Sequence, residues 1–236
     1  MRKIHFLVGS IFLFTQYVFA GVSIDGTRII FPSNAKSVSV QLRNEFATPA
    51  LVQTWIDQGD MSTIPAADQI PFVLTPPLAR VESKKGQIIR IIPTGSPVLP
   101  QDRESLYWFN MLDIPPEDPA NAGKNILTFN VRSRIKLFYR PTSLKMSSDK
   151  AFASIRYNYN NNTQDVTLDN PTPYFVTVTK AEFKNQNQTA SYTADAVMLV
   201  PFSKLTLNEF KLNFQPNRMI YTIINDLGGS QTFEVK

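Results

Sequence analysis

Apolar and polar side chains alternate along most of this chain. Val38, Val40 and Leu42 enclose Ser39 and Gln41, with Arg43 following. Tyr107, Phe109 and Met111 alternate with Trp108, Asn110 and Leu112. Leu127, Phe129, Val131 and Ser133 alternate with Thr128, Asn130, Arg132 and Arg134. A period of two puts the two sets on opposite faces of an extended strand. Shorter β-branched and aromatic runs occur at 166–168, 175–179, 196–200 and 220–224. Turn-forming clusters separate these runs: Pro32-Ser33-Asn34, Pro76-Pro77, Pro115-Pro116, Asn121-Ala122-Gly123, Asn160-Asn161-Asn162 and Gly228-Gly229. No long stretch keeps a 3.6-residue period, and 17 prolines spread along the chain oppose long helices.

Many short strands at turn spacing predict an all-β protein built of immunoglobulin-like sandwiches. The break falls after Tyr139-Arg140-Pro141, where proline stops a strand and stiffens a short linker. Residues 21–141 and 142–236 each have the size of one such sandwich, so two domains are expected.

Residues 1–20 read as an export leader. Arg2 and Lys3 open it, an apolar run from Ile4 to Phe19 follows, and Val18-Phe19-Ala20 suits cleavage before Gly21. A membrane anchor that is never cut is the alternative, but the run is short and broken by polar residues. Charge adds little: 24 Lys and Arg, two of them in the leader, oppose 19 Asp and Glu. The cations are scattered, so nucleic acid is not an expected partner. Composition excludes more. Cysteine is absent, and the only histidine, His5, lies in the leader. Ser-His-Asp and Cys-His nucleophile systems are therefore ruled out of the mature chain, and so are nearly all zinc, copper and haem sites. Carboxylate-based hydrolysis and calcium binding stay open.

Residues 125–141 carry the densest signal. Odd positions from Leu127 to Leu137 are apolar except Ser133, and even positions from Thr128 to Lys136 are polar or basic. This predicts one amphipathic strand of about 11 residues, near twice the usual length. Alternation alone favours an ordinary strand with one buried face.

The segment Ile135-Lys136-Leu137-Phe138-Tyr139-Arg140-Pro141 resembles the signature that closes the first domain of periplasmic pilus-assembly chaperones. Other motifs match the same family in order. Asp25-Gly26-Thr27-Arg28 with Ile29-Ile30-Phe31 resembles its first strand. Leu99-Pro100-Gln101-Asp102-Arg103-Glu104-Ser105, Phe109-Asn110 and Ile114-Pro115-Pro116 resemble its sixth, and Thr75-Pro76-Pro77 and Arg80 also match. In the second half, Asn170-Pro171-Thr172-Pro173-Tyr174, Val200-Pro201-Phe202-Ser203 and Asn225-Asp226 before Gly228-Gly229 are similar to its second domain.

The resemblance implies two sandwiches set as a boomerang around a cleft, no catalytic activity and no cofactor. Its client is a pilus (fimbrial) subunit that lacks its last strand, which the chaperone caps and passes to an outer-membrane usher. Matched by motif, Arg28 and Lys136 would bind the subunit's C-terminal carboxylate. On its own, Arg28 reads as a solvated edge cation. Leu127, Phe129 and Val131 would form the donor strand, and Glu104, Arg140 and Asp226 an ion-pair network between domains. The short connection from Pro115 to Asn125 and the lack of cysteine resemble the short-loop branch. Glu82-Ser83-Lys84-Lys85-Gly86 departs from the family by lacking a Pro-Gly after the acid, which leaves the local turn open. An exposed apolar edge also implies weak self-association of the free protein.

Two other readings share the all-β pattern. A pilus subunit or another secreted structural protein is one, but subunits tend to be shorter, to contain a disulfide and to end in an aromatic-tipped strand. A sugar-binding module or carboxylate-based glycosidase is the other, with Trp55 and Trp108 as stacking platforms. Tryptophans in sandwich strands are more often core, and that is where these two are expected.

Overall fold

The computed structural model describes residues 21–116, 123–125, 127–193 and 196–236. The expected leader lies outside them. Nine strands come from the first half: β1 Val22–Ile24, β2 Arg28–Pro32, β3 Val38–Asn44, β4 Ala50–Asp57, β5 Phe72–Thr75, β6 Leu78–Val81, β7 Gly86–Pro93, β8 Ser105–Ile114 and β9 Val131–Arg140. They form two facing sheets, ordered β1-β3-β7-β5 and β2-β9-β8-β4-β6. Within them β2 runs parallel to β9, and β8 runs antiparallel to it. The alternating residues behave as their pattern predicts. Val40 and Leu42 are buried while Ser39 and Arg43 face out, and Tyr107, Phe109 and Met111 point into the core. Phe31 and Phe72 meet at 5.1 Å between ring centroids, and Phe72 meets Tyr107 edge-on at 5.3 Å. Each such side chain contributes about 1.5–3 kcal/mol by leaving water.

After a short helix, α1 Ser148–Phe152, eight strands build the second sandwich: β10 Arg156–Tyr159, β11 Asp165–Asn170, β12 Val176–Lys184, β13 Thr189–Tyr192, β14 Val197–Leu199, β15 Ser203–Lys211, β16 Arg218–Ile224 and β17 Ser230–Val235. One sheet runs β10-β11-β15. The other runs β13-β12-β16-β17, with β14 also on β12. Its core holds Ile155, Leu168, Phe183, Leu199, Met219 and Tyr221.

Each domain pins a strand end with a buried asparagine. Asn44 Nδ2 donates to the carbonyls of Thr48 and Val81, and its Oδ1 accepts from Phe46 N–H. Asn170 Nδ2 donates to the carbonyls of Tyr174 and Val200, and its Oδ1 accepts from Thr172. Such fully satisfied amides stabilise a chain reversal that apolar packing alone leaves undirected. The turn left open at Glu82–Gly86 closes through Lys85 N–H donating to the Glu82 carbonyl at 3.0 Å, with Lys84 taking the left-handed position at φ +58.

The domains meet along β9 and the residues flanking it. Phe138 packs against Phe175 with the rings tilted and their centroids 5.8 Å apart. Arg103 lies 5.1 Å from the ring of Phe202, and Ser143 donates to the Gln101 carbonyl. At the β16–β17 hairpin, Gly228 sits at φ +83, and a Cβ there would lie 2.4 Å from the Thr27 hydroxyl. Only glycine allows that turn and that approach together.

Candidate functional site

Arg28 and Lys136 are cross-strand neighbours in the parallel β2–β9 pair. Both heads reach the second domain. Arg28 Nη1 donates to the Ile224 carbonyl at 2.8 Å, and Lys136 Nζ donates to Thr177 Oγ1 at 3.0 Å. Among the described residues neither has a carboxylate within ion-pair distance, and Arg28 Nε is buried without a hydrogen-bond partner. Burial draws the Lys136 ammonium down to about 8, and the like charge of Arg28 adds to the effect. Burial also lowers the pKa of Arg28, against the pull of Asp226 and Glu104. Two partly dry cations side by side form a site for an anion.

Above this pair, β9 has a free edge. β2 pairs only with residues 136–140, and β8 covers the opposite side from Val131 onward. Among the described residues, no strand pairs with 131–135 on the β2 side. The strand expected to begin at Leu127 begins at Val131, which lies opposite Asp113. The reason is the partner. β8 ends at Ile114, and Pro115 and Pro116 cannot donate to a ladder. Leu127, Phe129 and Val131 are 80%, 72% and 53% exposed. They share the odd parity of the core residue Leu137, so they continue its row into solvent.

Glu104, Arg140 and Asp226 come together. Arg140 Nε donates to Glu104 Oε1 at 2.7 Å, and its two terminal nitrogens fork onto Asp226 at 2.7 Å each. The other Glu104 oxygen accepts from Phe175 N–H at 2.8 Å, and Tyr174 lies beneath the guanidinium at 5.0 Å. Burial raises the Glu104 pKa more than Arg140 lowers it. Burial alone would raise Asp226 as well, but the Arg140 fork holds its carboxyl below the ordinary range.

Pattern reading missed a second cluster on the outer face of the same sheet. Asp57, 1% exposed at the end of β4, accepts from Arg134 at 3.1 Å through Nε and again through Nη2. It also accepts from Asn110 at 2.7 Å and from Gly59 N–H at 2.7 Å. Burial raises its pKa first, yet these donors together hold it below the usual value. Arg132 donates twice to Asn110 Oδ1 and once to the Met61 carbonyl. Here the expectation for the tryptophans is corrected. Trp55 and Trp108 are only partly buried, because they lie on this outer face beneath cations. Arg132 sits 4.9 Å over Trp55, and Arg134 sits 4.0 Å over Trp108. The signal was present in the even positions of β9, which carry Arg132, Arg134 and Lys136 on one face.

Two family descriptions cover nearly all the described chain. The pili and flagellar-assembly chaperone PapD N-terminal domain matches residues 21–145, and the pili assembly chaperone PapD C-terminal domain matches residues 150–235. The chain belongs to the pilus-assembly chaperone family. Among curated members, the probable fimbrial chaperone YadV of Escherichia coli K12 is 37% identical over 223 residues, covering 92% of this chain and 90% of its own. Chaperone protein HifB of Haemophilus influenzae is 41% identical over 218 residues, covering 91% and 87%. The crystal structure of the YadV chaperone superposes with a TM-score of 0.75 at 35% identity, over 92% of this chain and 99% of that one. The SafB chaperone, solved with the SafA pilin of Salmonella enterica, shares the fold at a TM-score of 0.74 and 23% identity, over 92% and 96%. A pilus subunit, the alternative reading, is not what either description names.

Proposed function

We propose that the mature protein is a periplasmic chaperone that captures pilus subunits by lending them a strand, and hands them to an outer-membrane usher. A leader of residues 1–20 would direct export, and units 21–141 and 142–236 would flank the capture cleft. One observation carries this reading: a carboxylate-free cation pair, Arg28 and Lys136, lies at the foot of a strand with one open edge and a row of exposed apolar side chains. An incoming strand would pair with the open edge of β9, the general mode by which chaperones complete pilins. Its terminal carboxylate would meet two charged donors in a partly dry cleft. Its sandwich would take up Leu127, Phe129 and Val131, worth about 5–9 kcal/mol together as an upper estimate. The same exposed row supports weak self-association of the free protein, which sedimentation at several concentrations would register.

The test is co-purification from periplasm with a co-expressed fimbrial subunit. Arg28→Ala and Lys136→Ala should fold normally and lose the subunit. Phe129→Asp should weaken capture through the groove instead. Normal capture by both cation variants would sink the carboxylate anchor, and normal capture by Phe129→Asp would sink the donor strand.

A further inference from the structure

Residues 131–135 are backed by β8 alone, and they are also where β9 turns from a sheet member into a free arm. A strand end with one neighbour frays and rolls. The even side chains of that stretch, Arg132 and Arg134, do not wave in solvent. Their side chains are 29% and 15% exposed, and both are drawn across β8 to a carboxylate on β4, the second strand away. We propose that Asp57, with Asn110 beside it, is a positioning residue for the donor strand. This rests on reading residues 127–131 as that strand.

The geometry is specific. Arg134 grips both Asp57 oxygens, Asn110 donates to Asp57 and accepts from Arg132, and Arg132 reaches on to the Met61 carbonyl. The guanidiniums of Arg134 and Arg132 lie over the rings of Trp108 and Trp55. One buried anion thus fixes two successive even side chains of β9. With the even set bound to the sheet, the odd set cannot rotate off its face. Val131, Phe129 and Leu127 then leave the sheet with one parity and one roll. A donor strand needs just that, because a one-residue slip or a half-turn presents Thr128 and Asn130 to the client instead. Asp57 acts through the two arginines.

Hydrogen exchange on the full mature protein tests this directly. In Asp57→Asn, the amides of 131–135 that face β8 should exchange at least tenfold faster, while amides 136–140, backed by β2, keep their rates. Tryptophan emission should shift, because both rings lose their fixed cations. Co-purification of a co-expressed fimbrial subunit should fall about tenfold, and Asp57→Glu, which keeps the charge, should recover most of it. If Asp57→Asn does not fold, Arg132→Lys, on a partly exposed side chain, gives the same readouts at about threefold. Unchanged exchange at 131–135 overturns the proposal. So does faster exchange with full capture, provided Phe129→Asp still weakens capture. Full capture by Phe129→Asp instead removes the donor-strand reading itself.

Discussion

At the residue scale, the decisive group is Lys136. Burial and Arg28 draw its ammonium down to about 8 from an ordinary 10.5. On the proposed anchor, a bound carboxylate would restore the charge, so capture would take up a proton once pH exceeds about 8. Affinity is therefore expected to be level below that pH and to fall above it, by up to tenfold per unit. Lys136→Arg, whose guanidinium does not titrate in this range, should give a flat profile in a pH series of binding measurements. The sign for stability is opposite. The folded chain holds fewer protons than the unfolded chain between about 8 and 10.5, so this group's penalty is fully present below 8 and is relieved as pH rises. Which cations would matter was legible only through motif resemblance. Arg28 has no pattern of its own, and its proposed role depends on β2 lying parallel to β9, a pairing between residues more than a hundred positions apart.

At the scale of elements, β9 depends on parity. Inserting one alanine between Asn130 and Val131 leaves the ladder from Val131 onward intact but turns Leu127 and Phe129 to the other face. Subunit capture should drop at least tenfold with the melting temperature nearly unchanged, a difference that co-purification and thermal unfolding would separate. The period-two pattern foretold this strand, but not its start. Alternation continues to Leu127, whereas pairing stops where Pro115 and Pro116 end the neighbouring strand. Alternation reports which side chains share a face; it carries no information on whether a partner backbone is there. The tryptophans mislead for a related reason. Trp55 and Trp108 have the composition of core, but their strand positions share a face with Asp57, Arg132 and Arg134.

At the scale of the whole molecule, Arg140 joins the sandwiches through a fork on Asp226 and a bond to Glu104. Removing Asp226 leaves Arg140 held by Glu104 alone, so the cost stays below the roughly 3–5 kcal/mol of a fully unpaired buried charge. Asp226→Ala is expected to loosen the angle between domains more than it unfolds either one, visible as a larger radius of gyration in solution scattering. Gly228→Ala should act on the same joint through Thr27, by steric push instead of lost charge. Two sandwiches were legible from strand count and turn spacing. The break after Pro141 and, through motif resemblance, the Glu104–Arg140–Asp226 link were read in the sequence too, but the contacts between Phe138 and Phe175, or Arg103 and Phe202, were not, because they join segments with no shared pattern.

The neutral acceptors on Thr177 and Ile224 have a consequence for release. If a guest is held as proposed, its departure would not strand its two hosts, since a hydroxyl and a carbonyl lie within reach to take over. Letting go would then be an exchange of neighbours, not a rupture, and the grip could be firm without being final.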